Sequence, residues 1–271
     1  MSKTILITGT STGIGKATAK LFQAKGWNVV ATMRTPEKET ELTELDNVLV
    51  ARLDVTDKAS ITAAVAAGVE KFGQIDVVVN NAGYGIMGAL EAFSDEQIRR
   101  QFDVNFFGVI DVMKEVLPAM RARRDGMIVN VTSIGGRVVY PSVHVYNSTK
   151  FALECLTEGM KYELKPLGIK LKIIEPGAIK TEFMNSIDPA GADIEDYRAG
   201  SQKIAEAFAN ILGDGASSPE SVADVIYESV TDGSDRLRYL AGDDAIAAQE
   251  TVKNTDSDEF INGVAANFGL W

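Results

Sequence analysis

Near its N-terminus the chain reads Thr4-Ile5-Leu6-Ile7-Thr8-Gly9-Thr10-Ser11-Thr12-Gly13-Ile14-Gly15, and this stretch decides its fold. An apolar run of strand length enters a glycine-rich turn, and a helical pattern follows directly. Glycines in such a turn let the backbone approach a pyrophosphate, which then lies at the helix N-terminus among unpaired N–H groups. A plain tight turn between strand and helix would use the same glycines. The position after a first strand favours a dinucleotide site formed by Gly9, Ser11, Thr12, Gly13, Ile14 and Gly15.

Outward from this turn, short apolar runs alternate with longer helical patterns. The predicted strands are Thr4–Thr8, Asn28–Met33, Val48–Leu53, Ile75–Asn80, Met127–Thr132 and Lys170–Ile174. The predicted helices are Gly13–Lys25, Asp57–Phe72, Ser94–Arg123 and Tyr146–Lys165. Several strands are apolar throughout, as in a parallel sheet that is covered on both faces. The pattern therefore predicts a Rossmann-type, doubly wound α/β fold of about seven parallel strands with helices on both faces.

Nothing in the sequence divides residues 1–271 into two domains, but two segments depart from the alternation. Residues 181–217 are rich in Ala, Gly, Asp and Asn, and a segment of that kind is typical of a substrate lid or a mobile insertion. Residues 243–271 form an acidic tail with an apolar end. We expect this tail to dock on the body of the protein or on a neighbouring subunit.

Composition restricts the classes of partner. Lys and Arg number 27 against 38 Asp and Glu, so the formal charge of −11 disfavours nucleic acid and anionic membranes as partners. The only cysteine, Cys155, is predicted to be a small buried side chain in a helix. No leader pattern and no run of about 18 apolar residues is present, so we expect a cytoplasmic protein that spans no membrane. We expect no metal site.

The end of the second predicted strand indicates which nicotinamide cofactor would bind. Binding of NAD normally places an acidic residue there, to hold the ribose 2′-hydroxyl. Here the strand ends at Arg34 and no carboxylate precedes Glu37, so the sequence predicts NADP, with Arg34 on the 2′-phosphate. Asp54 and Val55, after the third strand, are candidates for the adenine, although Asp54 could equally cap the next helix.

Tyr146 and Lys150 are four residues apart, which places them on one face of a helix. A tyrosine with a pKa of about 10 is a poor acid or base at neutral pH. A neighbouring lysine cation favours the phenolate and lowers that pKa, so the pair could exchange a proton with a substrate oxygen. Such a pair also occurs by chance on solvated helices, and its meaning depends on the motifs around it.

Five ordered motifs between Lys3 and Thr181 resemble the short-chain dehydrogenase/reductase family in its single-domain branch. They are the Thr8–Gly15 turn, Asn80-Asn81-Ala82-Gly83, Asn105, Ser133 with Tyr146 and Lys150, and Pro176-Gly177 with Thr181. Within that family the pattern is similar to the 17β-hydroxysteroid and retinol dehydrogenases. The resemblance implies an oxidoreductase that transfers hydride between a nicotinamide and a carbonyl or alcohol group.

The resemblance also assigns roles to residues. Tyr146 would exchange the proton, Ser133 would hydrogen-bond the same substrate oxygen, and Lys150 would tune Tyr146 and hold the nicotinamide ribose. Asn105 would hold a water that links Lys150 to solvent, although a polar residue in so apolar a helix could be purely structural. The other cofactor contacts that the resemblance implies are at Asn81, Ala82, Gly83, Pro176, Gly177, Ile179 and Thr181.

The expected pocket walls are mostly apolar and favour a lipophilic or aromatic ketone, aldehyde or secondary alcohol. They are Tyr84, Met87, Val138, Val139, Val143, Phe183 and Met184, with Arg137 as the one nearby charge and His144 as a residue that lines the pocket or supports a loop. Two alternatives remain, a non-catalytic NADP-binding regulator on the same fold and an epimerase or dehydratase. The resemblance further implies a homodimer or homotetramer that pairs through Ser94–Arg123 and Tyr146–Lys165.

Overall fold

The computed structural model describes residues 2–183, 188–190 and 194–271. Nine strands lie in this part of the chain: β1 (Thr4–Thr8), β2 (Asn28–Met33), β3 (Val48–Arg52), β4 (Val77–Asn80), β5 (Ile86–Gly88), β6 (Gly126–Val131), β7 (Ile169–Pro176), β8 (Asp188–Ala190) and β9 (Arg238–Ala241). The α-helices of the same part are α1 (Gly13–Ala24), α2 (Lys58–Phe72), α3 (Asp95–Phe102), α4 (Gly108–Arg123), α5 (His144–Leu164), α6 (Glu195–Asp214), α7 (Pro219–Thr231), α8 (Asp243–Asn254) and α9 (Ser257–Asn267).

The main sheet has seven strands, all parallel, in the order β3-β2-β1-β4-β6-β7-β9. This order, with helical crossovers between the strands, is the doubly wound α/β arrangement that the sequence predicts. Strands β5 and β8 form a separate parallel pair. The predicted Rossmann-type single domain is confirmed, and the seventh strand of the sheet is β9.

The two sides of the sheet explain why its strands are apolar throughout. Successive residues of a strand point to opposite faces, so Ile5 and Ile7 belong to one core cluster and Leu6 belongs to the other. The first cluster contains Phe22 of α1 and residues of α7, and the second contains residues of α2, α4 and α5. Helices therefore cover both faces of the sheet. A strand with alternating polar residues would bury polar side chains under the helices of one face.

The predicted helix Ser94–Arg123 is divided in the structure. Its start is confirmed, because Ser94 and Gln97 form a capping box at the beginning of α3. Residues Asp103–Phe107 then form one π-helical turn before α4 continues to Arg123. The turn contains Asn105, and single π-turns inside helices are frequent at functional sites.

Both atypical segments contain helices. Within 181–217, α6 occupies Glu195–Asp214, so more than half of the segment is regular. The tail 243–271 forms α8 and α9 and docks on the body, with Ala245 and Phe268 buried while Trp271 stays exposed. Among the helices of the described ranges, none is long and apolar enough to cross a bilayer.

The prediction for Cys155 was wrong, because its side chain is exposed. It lies on the same side of α5 as Phe151 and Tyr162, which are 41% and 82% exposed. These positions are separated by four and seven residues, and this spacing keeps them on one solvent-facing stripe of the helix.

Candidate active site

The glycine turn has the shape that a bound phosphate group needs. Gly9 and Gly13 adopt positive φ angles of 72° and 56°, which a side chain would disfavour. A Cβ on Gly15 would overlap the carbonyl oxygen of Gly9. Thr12 precedes α1 and makes no side-chain cap, so its side chain occupies none of the N–H groups at the start of α1. These features fit a dinucleotide pyrophosphate.

Asn81 and Ala82 hold this turn in place from the end of β4. Their backbone N–H groups both donate to the Thr8 hydroxyl, each at 3.0 Å. The Asn81 side chain donates to the carbonyl oxygens of Thr8 at 2.9 Å and Gly9 at 3.0 Å. A Cβ on Gly9 would come within 2.9 Å of the Ala82 backbone. Asn81 and Ala82 therefore support the turn directly, and the cofactor role of this motif stays a prediction.

The predicted adenine side lies at the ends of β2 and β3. Arg34 is exposed directly after β2. Burial acts to raise the pKa of Asp54, but hydrogen bonds from Thr56 and the positive charges of Arg34 and Arg100 hold that pKa below its usual value. The cap of α2 is Asp57 and not Asp54, since the Asp57 carboxylate accepts from Ala59 and Ser60. Val55 is buried in the core beneath this edge.

Ser133, Tyr146 and Lys150 come together at the carboxyl end of β6. The Ser133 hydroxyl lies close enough to the Tyr146 phenol to lower the phenol's pKa. The Ser133 hydroxyl also accepts from the Gly135 N–H at 3.0 Å, so it caps a short 3₁₀ turn as well as contacting Tyr146. Lys150 is 5% exposed, with its Nζ 5.7 Å from the centroid of the Tyr146 ring. The structure thus brings the three predicted residues into one cluster.

The pKa values in this cluster differ from the expectation for Tyr146. Burial raises the pKa of Tyr146 to about 12, and the hydrogen bond with Ser133 acts in the opposite direction. Burial lowers the pKa of Lys150 to about 8, against the charge of Glu154. Lys150 donates to the Val131 carbonyl oxygen at 3.1 Å and not to the phenol. The net shift of the Tyr146 pKa is therefore upward, opposite to the shift that the spacing with Lys150 predicts.

Asn105 is fully engaged by protein partners. Its side chain accepts from the Tyr84 N–H at 3.1 Å and donates to the Tyr84 carbonyl oxygen at 2.9 Å. It also donates to the Thr149 hydroxyl at 3.3 Å. Gly83 lies between Asn105 and Lys150, because a Cβ there would be 3.2 Å from the Asn105 oxygen and 3.8 Å from the lysine Nζ. These contacts hold the Asn105 side chain and the Tyr84 backbone in place near Lys150. The predicted water-holding role of Asn105 stays a prediction.

The segment after β7 faces the glycine turn. Pro176 ends β7, and its carbonyl oxygen accepts from the Ser133 hydroxyl at 3.4 Å. Ile179 is buried, and the Thr181 side chain lies where a Cβ on Gly13 would be 3.2 Å from it. Pro176 therefore lies against Ser133 and Thr181 lies against the glycine turn, while the cofactor contacts of Pro176, Gly177, Ile179 and Thr181 stay predictions. These contacts lie at the edge at which doubly wound sheets bind ligands.

The substrate side agrees only in part with the predicted pocket walls. Phe183 packs edge-to-face on Tyr146, with ring centroids 5.6 Å apart. Val138 is 2% exposed and belongs to the core, and the guanidinium of Arg137 is 3.3 Å from Glu175, so neither is a free pocket wall. Met184 lies outside the described residues.

His144 lines a cavity that contains none of the predicted pocket walls that the structure describes, so its place in the substrate pocket stays a prediction. The cavity has a volume of about 290 Å³ and lies between β5, the start of α5 and α6. Its walls combine Ser142, Asp196, Tyr197 and Ser201 with the apolar Leu90 and Ile204. Burial lowers the pKa of His144, which favours the neutral imidazole.

The contact of Asp244 with the Ala178 backbone was not predicted from the sequence. The Asp244 carboxylate accepts from the Ala178 N–H at 2.6 Å, so residues of the C-terminal tail reach the segment after β7. The residue is 66 positions away from Ala178 in the chain, and no local spacing marks the pair. Only the pairing of β7 with β9 brings the two together.

Comparisons with known proteins identify the family of the chain. The family profile described as short chain dehydrogenase matches residues 3–191. An uncharacterised oxidoreductase of Schizosaccharomyces pombe is 38% identical over 238 residues, which cover 88% of this chain and 100% of the relative. The chain therefore belongs to the short-chain dehydrogenase/reductase family of oxidoreductases, and the resemblance found in the sequence is confirmed.

Two solved structures are similar to the chain over almost its whole length. A short-chain dehydrogenase from Streptomyces avermitilis has a TM-score of 0.83 and 31% identity, with coverage of 93% of this chain and 94% of that one. ElxO with NADP bound has a TM-score of 0.76 and 29% identity, with coverage of 91% and 100%. The similarity therefore extends beyond the residues that the family profile matches.

Proposed function

We propose that the protein is an NADPH-dependent carbonyl reductase or alcohol dehydrogenase for a lipophilic or aromatic substrate. The observation that carries the proposal is the cluster of Ser133, Tyr146 and Lys150 at the carboxyl end of β6. This cluster adjoins the segment after β7, which in turn contacts the glycine turn. A regulator that only binds a nucleotide would not need this buried proton-transfer cluster.

The chemistry of the cluster fits reduction. NADPH supplies a hydride to the carbonyl carbon when it is bound. A Tyr146 phenol with a pKa raised to about 12 is protonated at neutral pH, so it can donate its proton to the carbonyl oxygen as charge develops there. The Ser133 hydroxyl stabilises the same oxygen. Lys150 holds a positive charge next to the phenol after the proton has left.

Two parts of the structure support the cofactor and substrate class. Arg34 is exposed at the end of β2, where a guanidinium can pair with a 2′-phosphate. ElxO, a relative in structure, binds NADP. Phe183 on the tyrosine ring gives the reacting end an apolar wall, and Arg137 is paired with Glu175. A neutral ketone or aldehyde matches these surroundings better than an oxo-acid.

We also propose a homo-oligomer. Val109, Val112, Met113 and Leu153 lie on the helices expected to pair but are core residues. Phe107 and Phe151 nevertheless remain 52% and 41% exposed on the helices expected to pair. Apolar side chains exposed on such helices are typical of an interface. Small-angle scattering checks this, and a monomeric mass would contradict it.

The experiment that tests the proposed reaction is Tyr146→Phe. Removal of the proton donor should lower kcat for reduction of neutral ketones by about 10²–10⁴-fold. The affinity for NADPH, followed by fluorescence, should stay within about twofold, because the phenol contributes little to ground-state binding. Tyr162→Phe is the matched control, since Tyr162 is on the same helix but 82% exposed. Undiminished reduction by the Tyr146 variant would refute the mechanism.

A further inference from the structure

We propose that Asp244 is a positioning residue for the nicotinamide end of the cofactor site. In this proposal, which rests on the proposed function, its carboxylate fixes the Pro176–Thr181 segment in the shape that receives the nicotinamide. Asp244 lies in the C-terminal tail, beyond the residues 3–191 that match the family profile. The tail would thereby supply part of the cofactor site.

The hydrogen bonds of the segment show what Asp244 contributes. Backbone groups of the segment bond to two other parts of the chain, with Gly177 N–H donating to Ala241 and Ser217 N–H donating to the Ala178 carbonyl oxygen, each at 2.9 Å. The Ala178 N–H, between these two anchors, donates to the Asp244 carboxylate at 2.6 Å. Hydrogen bonds to a charged acceptor are shorter and stronger than neutral ones. Asp244 therefore anchors the middle of the turn.

Glycines on both sides make room for this carboxylate. A Cβ on Gly177 would overlap both of its oxygens, and a Cβ on Gly242 would be 2.6 Å from Oδ1. Gly242 has a φ of 110°, a conformation that disfavours any side chain. Two glycines that each leave space for the same carboxylate indicate a close fit between α8 and the segment after β7.

The carboxylate is not used by its own helix. The cap of α8 is Gly242, and no side-chain cap is formed there. The second oxygen, Oδ1, is buried without a partner in the described part of the chain. A buried acceptor without a donor costs free energy. The Asp244 side chain nevertheless points toward the segment after β7, where its other oxygen accepts from Ala178. Tyr140 adjoins it as a neutral phenol, because burial and the charge of Asp244 raise the pKa of Tyr140 to about 12.

Removal of the carboxylate has a local consequence. The Ala178 N–H loses its acceptor, and the space above Gly177 opens, so the turn that contains Ile179 and Thr181 relaxes. The adenine end of the predicted site uses Arg34 and Asp54 at the ends of β2 and β3, on the opposite half of the sheet. Binding of the adenine half should therefore be unaffected.

The test compares two ligands on three variants, Asp244→Ala, Asp244→Asn and Asp243→Asn. The ligands are NADPH and 2′-phospho-ADP-ribose, which lacks only the nicotinamide, with NADH and ADP-ribose as the second pair. For Asp244→Ala we expect at least tenfold weaker binding of the dinucleotide, with the fragment unchanged within twofold. Asp244→Asn keeps an acceptor oxygen and should lose about threefold. Asp243 is exposed in the same helical turn, so Asp243→Asn controls for the loss of charge.

Hydrogen exchange of the protein without ligand gives a readout that does not depend on cofactor. The peptide that contains residues 177–183 should exchange at least tenfold faster in Asp244→Ala, and nearly as in the wild type in Asp243→Asn. If Asp244→Ala does not fold, the affinities and exchange rates of Asp244→Asn test the proposal instead.

Three results would overturn the inference. They are an unchanged dinucleotide affinity in Asp244→Ala, equal weakening of dinucleotide and fragment binding in that variant, or equal weakening of dinucleotide binding by Asp244→Ala and Asp243→Asn. A wild type that binds neither dinucleotide would instead refute the proposed function, and the exchange data would still report on Asp244.

Discussion

At Tyr146, burial and hydrogen bonding act on the pKa in opposite directions, and burial prevails. The residue spacing with Lys150 predicted a lowered pKa, whereas the structure raises it to about 12. Burial is the cause. The lysine Nζ bonds the Val131 carbonyl oxygen and lies 5.7 Å from the ring centroid. Helical spacing places Tyr146 and Lys150 on one face of α5. The position of the lysine ammonium depends on its hydrogen bond to Val131 at the end of β6.

Arg34 provides the first prediction at the residue scale. Replacement of Arg34 by Leu should weaken NADPH binding by about 10- to 100-fold and leave NADH binding nearly unchanged, because a charged hydrogen bond contributes about 1.5–3 kcal/mol. Fluorescence titration of both cofactors measures this. Arg52→Leu is the control, since Arg52 is exposed at the end of the neighbouring strand and pairs with Asp57. Tighter binding of NADH than NADPH by the wild type would contradict the assignment.

Glu154 provides the second prediction at the residue scale. Its carboxylate accepts from the Thr132 hydroxyl at 2.6 Å and from Arg238 at 3.0 Å, and burial raises its pKa from 4.5 to about 7. The folded state therefore binds this proton more tightly than the unfolded state. The associated stability is complete below pH 4.5 and is lost as the pH rises through about 7.

Glu154→Gln removes this titration. The free energy of unfolding of the variant, relative to the wild type, should rise between pH 5 and pH 8 by on the order of 1–3 kcal/mol. Urea unfolding at the two pH values measures it. Glu158→Gln is the control, because Glu158 also pairs with Arg238 but has a lowered pKa. A difference for Glu154→Gln that does not change with pH would contradict the prediction.

At the scale of elements, the helix that contains Asn105 was predicted only as one continuous piece. Its start could be read from Ser94 and Gln97, because a capping box is local. The π-turn at Asp103–Phe107 could not, since nothing in the spacing of apolar residues distinguishes it. The bonds of Asn105 to the Tyr84 backbone are tertiary contacts within that turn.

Ser94→Ala tests the capping box. The Ser94 hydroxyl accepts from the Gln97 N–H at 3.1 Å, and its loss should lower the free energy of unfolding by about 1 kcal/mol. Chemical denaturation measures the change. Ser257→Ala is the matched control, because that exposed serine follows Asp256, which already caps α9. Equal effects of the two substitutions would show that the capping box contributes nothing specific.

At the scale of the whole molecule, the C-terminal tail joins parts of the chain that are distant in sequence. Phe268 is 5% exposed, and its ring lies 6.4 Å from Tyr140 and 5.2 Å from Phe208 of α6. Lys203 of α6 also donates to the Gly269 carbonyl oxygen at 2.6 Å. The tail therefore connects α6 with the loop that follows Ser133.

Phe268→Ala should destabilise the protein by about 3–5 kcal/mol, because it leaves a cavity between these rings. Trp271→Ala is the control within the same tail. Trp271 is 75% exposed, so its removal should change stability by no more than about 0.5 kcal/mol. Thermal and urea unfolding of both variants provide the comparison. Similar stability for both would mean that the tail is not an integral part of the core.

The sequence by itself determined the doubly wound sheet, the glycine turn and the pair of Tyr146 and Lys150 on one helix face, and Ser133 was added by the resemblance to the family. Those features are encoded locally, by apolar runs, glycine positions and helical spacing. Tertiary structure alone decided the exposure of Cys155, the pairing of Arg137 with Glu175 and the contact between Asp244 and Ala178. Each of these depends on which elements pack together, and contacts between residues 38 or 66 positions apart leave no periodic signal in the chain.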